Sequence, residues 1–313
     1  MANEKLSLHL FKAVEDGNYK KINYILALKG DINVFNDRGE TPLLYAKDDE
    51  MFDYLISKGA DANVKNKNGI ELLPVALGIT GKRKYWLAKK LIEHGANIEG
   101  KDVFGSTPLI KAIERNDEKM FDYLISKGAD VNGENIFEQG ALLLAVKYRR
   151  FELAKKLVLK GADVNKVSKN NGTTPLFECV VEDDVELLEF FLNEGKGNPN
   201  TKRYNGNTVL MYACHNNNFP MVRMLVKRGA KLDEKNEDGV TALMFACKAG
   251  DYNIVEYLID NGADYTIKNI RGNDVFEYAN YSLAEFIREV IKRKETREKV
   301  KDFKNKIGKI FGR

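Results

Sequence analysis

The stretch GSTPLIKA, residues 105–112, recurs along this chain at a nearly fixed period. Close copies are GETPLLYA from Gly39 and GTTPLFEC from Gly172, and degenerate copies are GNTVLMYA from Gly206 and GVTALMFA from Gly239. We aligned the units on the small residue that closes each copy, and the anchors are Ala13, Ala46, Ala76, Ala112, Ala145, Cys179, Ala213, Ala246 and Ala279. Most of their spacings are 33 or 34 residues, which indicates a repeat architecture.

An identical segment supports this interpretation. MFDYLISKGAD occupies residues 51–61 and again residues 120–130, and LAKKL occupies residues 87–91 and 153–157. The same side chains recur because the same packing interface recurs. We infer that a block of two repeats was duplicated.

Each unit is predicted to contain two short helices. A threonine at the N-cap accepts a bond from a backbone N–H group, and the following proline occupies a position that needs no N–H. These residues are Thr41, Thr107 and Thr174 with Pro42, Pro108 and Pro175. The second helix carries an apolar stripe and ends at a glycine suited to a left-handed cap, namely Gly128, Gly161, Gly229 or Gly262. A polar, turn-rich finger then leads to the next unit.

A 33-residue period with T-P-L and a closing G-A-D-x-N is typical of the ankyrin repeat. The chain resembles an ankyrin-repeat protein over roughly residues 5–282. The resemblance implies an all-α fold, a solenoid of stacked helix-turn-helix units joined by hairpin-like fingers. We expect residues 1–282 to form the array, with repeat 1 as N-terminal cap, repeats 2–8 internal and repeat 9 as C-terminal cap. Residues 283–313 are expected to form a basic amphipathic helix that partly caps the array.

Two neighbouring units depart from the pattern. Repeat two is three residues short between its helices, and repeat three is three residues long. The extra residues lie within 79–85, which we interpret either as drift in a turn or as a displaced loop that contacts a partner.

The sequence offers no catalytic constellation, so we expect a protein that is not an enzyme and holds no cofactor. It contains no P-loop, no G-x-S-x-G and no H-E-x-x-H motif. His9, His94 and His215 lie in different repeats, which argues against a metal site. The three cysteines, Cys179, Cys214 and Cys247, are predicted to be buried thiols. The absence of a signal peptide or membrane span in the sequence predicts a cytoplasmic protein, with delivery into a host cell left open.

The array is nearly neutral, with 39 basic and 41 acidic residues over residues 1–282, so no nucleic-acid partner is expected. In ankyrin proteins the partner usually lies along the finger tips and the inner helices. Most of these positions are polar here, but repeats four and five carry an apolar and aromatic cluster next to arginines. The predicted partner-binding residues are Val103, Phe104, Arg115, Ile136, Phe137, Tyr148 and Arg149, with Tyr204 and His215 as an extension. The alternative is that these side chains fold back onto the base of the finger.

The tail carries the surplus charge, because residues 283–313 hold eleven basic and five acidic residues. A first apolar stripe begins at Leu283 and suits capping. A second stripe, Val300, Phe303, Ile307, Ile310 and Phe311, lies roughly 140° around the helix from the first. It suits an anionic membrane surface or an acidic partner, or a secretion signal in a bacterium, or simply a solvated helix end.

Together these patterns predict a non-catalytic scaffold or adaptor that binds a protein partner of unknown identity. The alternative is a peripheral membrane protein or secreted bacterial effector that uses its tail. Partner identity and oligomeric state are not encoded in any recognisable motif.

Overall fold

A computed structural model describes residues 2–79 and 83–310 of the 313-residue chain. These residues form helices, turns and three isolated antiparallel bridges, Lys65–Glu71, Glu134–Gly140 and Lys202–Thr208. The all-α prediction is therefore confirmed, and each bridge lies at the base of a finger. In the described part of the chain the elements form nine successive helix pairs, and each is one repeat. The chain divides into two compact units, Met1–Leu153 and Ala154–Arg313.

The first unit contains the first four repeats and most of the fifth. Its elements are α1 (Ala2–Glu15), α2 (Tyr19–Ala27), the 3₁₀ helix η1 (Pro42–Tyr45), α3 (Asp49–Ser57), α4 (Leu72–Gly78), α5 (Arg83–Glu93), α6 (Pro108–Glu114), α7 (Glu118–Ser126), α8 (Ala141–Lys147) and the start of α9 (Phe151–Leu159). We call the first helix of each pair the inner helix and the second the outer helix. The inner helices α4, α6 and α8 pack against one another in sequence.

The second unit continues the pattern. Its elements after α9 are α10 (Pro175–Val181), α11 (Val185–Asn193), α12 (Val209–His215), α13 (Phe219–Lys227), α14 (Ala242–Ala249), α15 (Tyr252–Asp260), α16 (Val275–Tyr278) and α17 (Tyr281–Ile310). Inner helices α10, α12, α14 and α16 pack in order, and so do outer helices α11, α13, α15 and α17.

The anchors form the core of both units. Eight of the nine, from Ala13 to Ala246, are at most 2% exposed, because a small side chain at this position lets the helices of a pair approach closely. The ninth, Ala279, is half-buried at the end of the short helix α16. Outer helices add the predicted stripe, as at Phe121, Leu124, Val222 and Leu225, all buried.

The asparagine of the G-A-D-x-N motif joins consecutive repeats. The Asn63 side-chain amide donates to the Gly95 carbonyl oxygen at 2.8 Å, and its Oδ1 accepts from the backbone N–H of Asn97 at 2.7 Å. Asn200 makes the same two bonds with Gly229 and Lys231 in the second unit. This amide satisfies backbone groups at the end of a helix, where no intrahelical partner is left.

The predicted caps are confirmed in two of three cases. The hydroxyls of Thr107 and Thr174 accept from the backbone N–H groups of Ile110 and Phe177 at 3.3 and 3.0 Å. The Thr41 cap prediction is wrong, because the Thr41 hydroxyl is buried without a hydrogen-bond partner and only the 3₁₀ helix η1 follows it. The three missing residues of repeat two leave room for one tight turn and not for a full helix. The glycines predicted to end the outer helices have φ between 85° and 104°, as a left-handed cap requires.

The extra loop of repeat three includes residues 80–82, which lie outside the described residues. The proposed division at residue 282 stays a prediction. In the structure, α17 begins at Tyr281 and is 30 residues long.

Candidate functional site

The first unit contains a groove between fingers four and five and the inner helices. It has a volume of about 430 Å³ and is open to solvent. Finger residues and inner-helix residues line it: Phe104, Ser106, Lys111, Glu114, Asn135, Phe137, Gln139 and Tyr148. The three aromatic side chains form its walls and are about half exposed, between 45% and 55%.

Each finger tip is a tight turn closed by the side chain at its base. The Asp102 carboxylate accepts from the backbone N–H groups of Phe104 and Ser106, both at 2.8 Å. Asn135 does the same in the next finger, accepting from Phe137 and Gln139 at 3.0 Å. Aspartate and asparagine favour such turns because their short polar side chains reach the backbone two residues on. These turns hold the aromatic residues away from the helices.

Neighbouring tips are also joined to each other. The backbone N–H of Ile136 donates to the Phe104 carbonyl oxygen at 3.0 Å. Close approach is possible because residue 105 is glycine: a Cβ there would lie 2.7 Å from Ile136 Cγ2 and 2.8 Å from its nitrogen. The distance between the two tips is therefore fixed by backbone contact, and the groove is formed before any partner arrives.

The charged groups of the groove are grouped around Lys111. Lys111 Nζ lies 2.5 Å from Asp102 Oδ2 and 3.5 Å from Glu114 Oε2. It also lies 5.9 Å from the centre of the Phe104 ring, within range of a cation–π contact. One lysine and two carboxylates sum to a net charge of −1, so the groove presents aromatic surface above a weakly acidic floor. Such a surface suits an apolar or aromatic side chain with polar groups around it.

The structure brings part of the predicted site together. Phe104, Phe137 and Tyr148 line one groove, and Val103 and Ile136 are exposed on the adjacent tips. These five side chains are 45–62% exposed, which favours the predicted surface over the alternative in which they fold back onto the base of the finger.

The two predicted arginines point elsewhere. The Arg115 guanidinium donates to the backbone carbonyl of Leu77 at the end of α4. Arg149 has a left-handed φ of 57°, and its guanidinium lies 5.5 Å from the Phe151 ring on the outer-helix side. Neither arginine lines the groove.

The predicted extension belongs to the second unit. Tyr204 is 59% exposed on its finger, and its N–H donates to the Asn171 carbonyl at 3.3 Å. His215 ends α12 and its ring packs edge-to-face on Phe245 at 6.0 Å.

The second unit has its own groove at corresponding repeat positions, between its last two fingers. There Phe245, Lys248 and Arg271 replace Lys111, Glu114 and Phe137. This second groove is lined by two cations, Lys248 and Arg271, by two carboxylates, Asp238 and Glu277, and by two aromatic side chains, Phe245 and Tyr278.

Sequence reasoning missed Lys111, Asn135 and Gln139. A signal for the first was available: the residue at the base of a finger contacts the inner-helix residue nine positions later. Asp102 pairs with Lys111, and the amide of Asn269 donates to the Tyr278 hydroxyl at 2.7 Å.

The chain's candidate reactive groups lie outside the grooves. Cys179, Cys214 and Cys247 are buried free thiols, and burial raises the pKa of each, to about 12 for Cys247. Within the described ranges, no three or more His, Cys, Asp or Glu residues are grouped as they would be around a metal ion. In the same ranges, the helices are too short or too polar to cross a membrane.

The fold is that of a helical-repeat protein of the ankyrin class. Its repeats are pairs of helices, its outer helices end at glycine, and its fingers are joined to one another. The family model described as "Ankyrin repeats (3 copies)" matches residues 46–135, 79–168 and 176–269. These matches cover more than half of the chain, which therefore belongs to the ankyrin-repeat family. Ankyrin repeats generally mediate protein–protein interaction.

Two relatives agree with this assignment. An ankyrin repeat protein of Rickettsia felis is 33% identical over 106 residues, 30% of this chain and 47% of the relative. An ankyrin repeat protein of fowlpox virus is 32% identical over 77 residues, 24% of this chain and 18% of the relative. The chain thus aligns with less than half the length of either relative.

Proposed function

We propose that this protein is a non-catalytic scaffold that grips a protein partner through the groove between fingers four and five. The observation that carries the proposal is the contiguous exposure of Val103, Phe104, Ile136, Phe137 and Tyr148 around one groove. Exposed apolar clusters of this kind are rare on monomers without a binding role, and aromatic residues dominate interface hot spots.

The rigidity of the fingers favours tight binding. Because hydrogen bonds fix the backbone of the tips, little loop ordering is needed when the partner docks, which lowers the entropic cost of association. Lys111 pairs with both Asp102 and Glu114, so the bottom of the groove holds one cation and two carboxylates, a net charge of −1. The preferred partner element is therefore a segment that inserts an apolar or aromatic side chain between Phe104 and Phe137.

The test is an affinity capture from the source organism with wild-type protein and with the double variant Phe104→Ser/Phe137→Ser. We expect the wild type to retain a specific protein and the double variant to lose it, with the urea midpoint unchanged because both rings are half exposed.

The matched control is Tyr24→Ser on the outer helix α2. Tyr24 is an exposed aromatic residue of the same unit, 64% exposed, and should be dispensable for capture. A photo-crosslinking amino acid at position 137, and not at position 24, should label the same partner. Retention of the partner by the double variant would refute the proposal.

A further inference from the structure

The long last helix, α17, has one part that packs on the second unit and one part that does not. In the packed part, Leu283, Ile287 and Val290 are buried, at most 1% exposed. Two ion pairs continue the contact with α15: Arg293 with Glu256 at 3.1 Å and Arg297 with Asp260 at 3.6 Å. Asp260 is the last residue of α15, so the partner helix ends where the second ion pair forms.

Residues 298–310 therefore continue past the end of α15. At 1.5 Å per residue this segment, which we call the projecting segment, is about 20 Å long. Its described side chains are exposed, including two large apolar ones, Val300 at 48% and Phe303 at 64%. Ile307 and Ile310 follow in the sequence at helical spacing, but their side chains and the whole of Phe311 lie outside the described residues.

The charges of the projecting segment are arranged around this apolar stripe. At 100° per residue, the positions of Lys299, Lys304 and Lys306 lie about 60–80° from the centre of the stripe, along its two edges. The positions of the two acidic residues, Glu298 and Asp302, lie about 120–160° away, on the opposite side together with the two remaining lysines. The segment holds five lysines and two acidic residues, so it is net positive and no acidic position borders the apolar stripe.

The packed part of α17 holds both kinds of cation, and Lys294 Nζ donates to the Ile259 carbonyl oxygen of α15 at 2.6 Å. Arginine makes both ion pairs with α15, as suits a group that bonds a carboxylate in a fixed geometry. After Arg297, every basic residue of the projecting segment is lysine. Lysine is a hydrated point charge on a flexible stem, suited to a diffuse negative field more than to a shaped protein pocket.

We propose that the projecting segment binds an anionic membrane surface. The apolar stripe would enter the boundary between headgroups and acyl chains, and the flanking lysines would contact anionic headgroups. A helix that lies on the surface needs an apolar side, basic edges and its acidic positions on the far side, which is the arrangement described above. The proposal does not depend on the groove of the first unit.

The test uses the full chain in flotation with phosphatidylcholine vesicles, prepared with and without phosphatidylserine. We expect binding only with phosphatidylserine, and weaker binding as salt is raised. Lys299→Gln/Lys304→Gln/Lys306→Gln should weaken binding about 100-fold, since each lysine near such a surface contributes roughly a factor of five. Phe303→Ser should weaken it about tenfold.

The matched control is Lys20→Gln/Lys21→Gln/Lys119→Gln, which removes the same charge from exposed positions of the first unit and should leave binding unchanged. Phe104→Ser/Phe137→Ser should also float as the wild type does, which separates this proposal from the groove. Circular dichroism checks that each variant is folded. Failure of the wild type to float, equal losses in the two lysine variants, or recruitment of an acidic protein in place of vesicles would each overturn the proposal.

Discussion

The backbone N–H of Ile136 donates to the carbonyl oxygen of Phe104 at 3.0 Å, which joins two fingers at their exposed apolar tips. The same bond joins Glu237 to Asn205 at 3.1 Å and Ile270 to Asp238 at 3.0 Å in the second unit. Because the bond is between backbone atoms, it places no demand on the side chains at the tips. Those side chains are consequently free to differ from finger to finger, while the spacing of the fingers stays constant.

Gly105→Ala should separate the two tips. Its φ of 68° is strained for any residue with a Cβ, and the added atom would lie 2.8 Å from the Ile136 backbone nitrogen, which cannot move cheaply. We expect a loss of about 2–3 kcal/mol of unfolding free energy, measured in urea.

Gly69→Ala is the control, because Gly69 has a φ of 75° but no neighbouring atom within 4 Å of where a Cβ would lie. It should cost only the backbone strain, about 1 kcal/mol. Equal losses in the two variants would show that contact between the tips contributes nothing.

Thr174→Val should cost about 1 kcal/mol, because it removes the hydroxyl that caps α10 while preserving shape. Thr41→Val should be neutral or stabilising, since the Thr41 hydroxyl is buried without a partner and its removal relieves a desolvation cost. Thermal melts of the two variants check this contrast. A larger loss for Thr41→Val than for Thr174→Val would contradict it.

In the second unit the buried carboxylate of Glu178, 8% exposed, pairs with the partly buried guanidinium of Arg203, 18% exposed. The Arg203 guanidinium also stacks near the Phe177 ring, at 4.7 Å. Arg203→Met should lower the unfolding free energy by about 3 kcal/mol, because it leaves a buried carboxylate without its cation.

The double variant Arg203→Met/Glu178→Leu should recover most of that loss, since no charge then remains buried. Urea denaturation of both single variants and the double variant gives the coupling energy. Additive losses would mean that the pair does not interact.

The buried thiols should make stability fall at alkaline pH. Burial raises the pKa of Cys247 from 9.0 to about 12, so the folded state keeps the proton that the unfolded state loses first. The contribution is complete below pH 9 and is lost as pH rises from about 9 toward 12, by about 1.4 kcal/mol per pH unit. Unfolding free energies at pH 8 and pH 10 should therefore differ less in Cys247→Ala than in the wild type. Identical pH dependence in both proteins would exclude this cause.

Periodicity made the fold predictable from sequence. Each anchor such as Ala112, each capping pair such as Thr107 and Pro108, and each ending glycine such as Gly128 encodes a local geometry independently of its surroundings. Thr41 has the same local sequence and does not cap. The three residues missing between the helices of repeat two shorten the element after Thr41 to a 3₁₀ turn. The sequence immediately around Thr41 does not contain that deletion, so it does not predict the change.

The candidate site was predictable only in part. Exposure of Phe104 and Phe137 follows from their place in the finger, which the period fixes. Lys111 was missed because the two residue types that meet at this nine-residue spacing differ between repeats, as Asp102–Lys111 and Asn269–Tyr278 show, so the repeat consensus does not specify a charged pair. The directions of Arg115 and Arg149 depend on side-chain rotamers after the end of a helix, and no sequence spacing determines those.

The single turn at Pro42–Tyr45 has a consequence for how the first unit opens. The turn spans four residues, where the corresponding first helices of repeats three to eight, from α4 to α14, span seven or eight. In an array whose stability is summed over neighbours, cooperativity breaks at the weakest unit. Amide hydrogens of α1 and α2 should thus exchange with solvent as a separate group, ahead of those in α6 and α8.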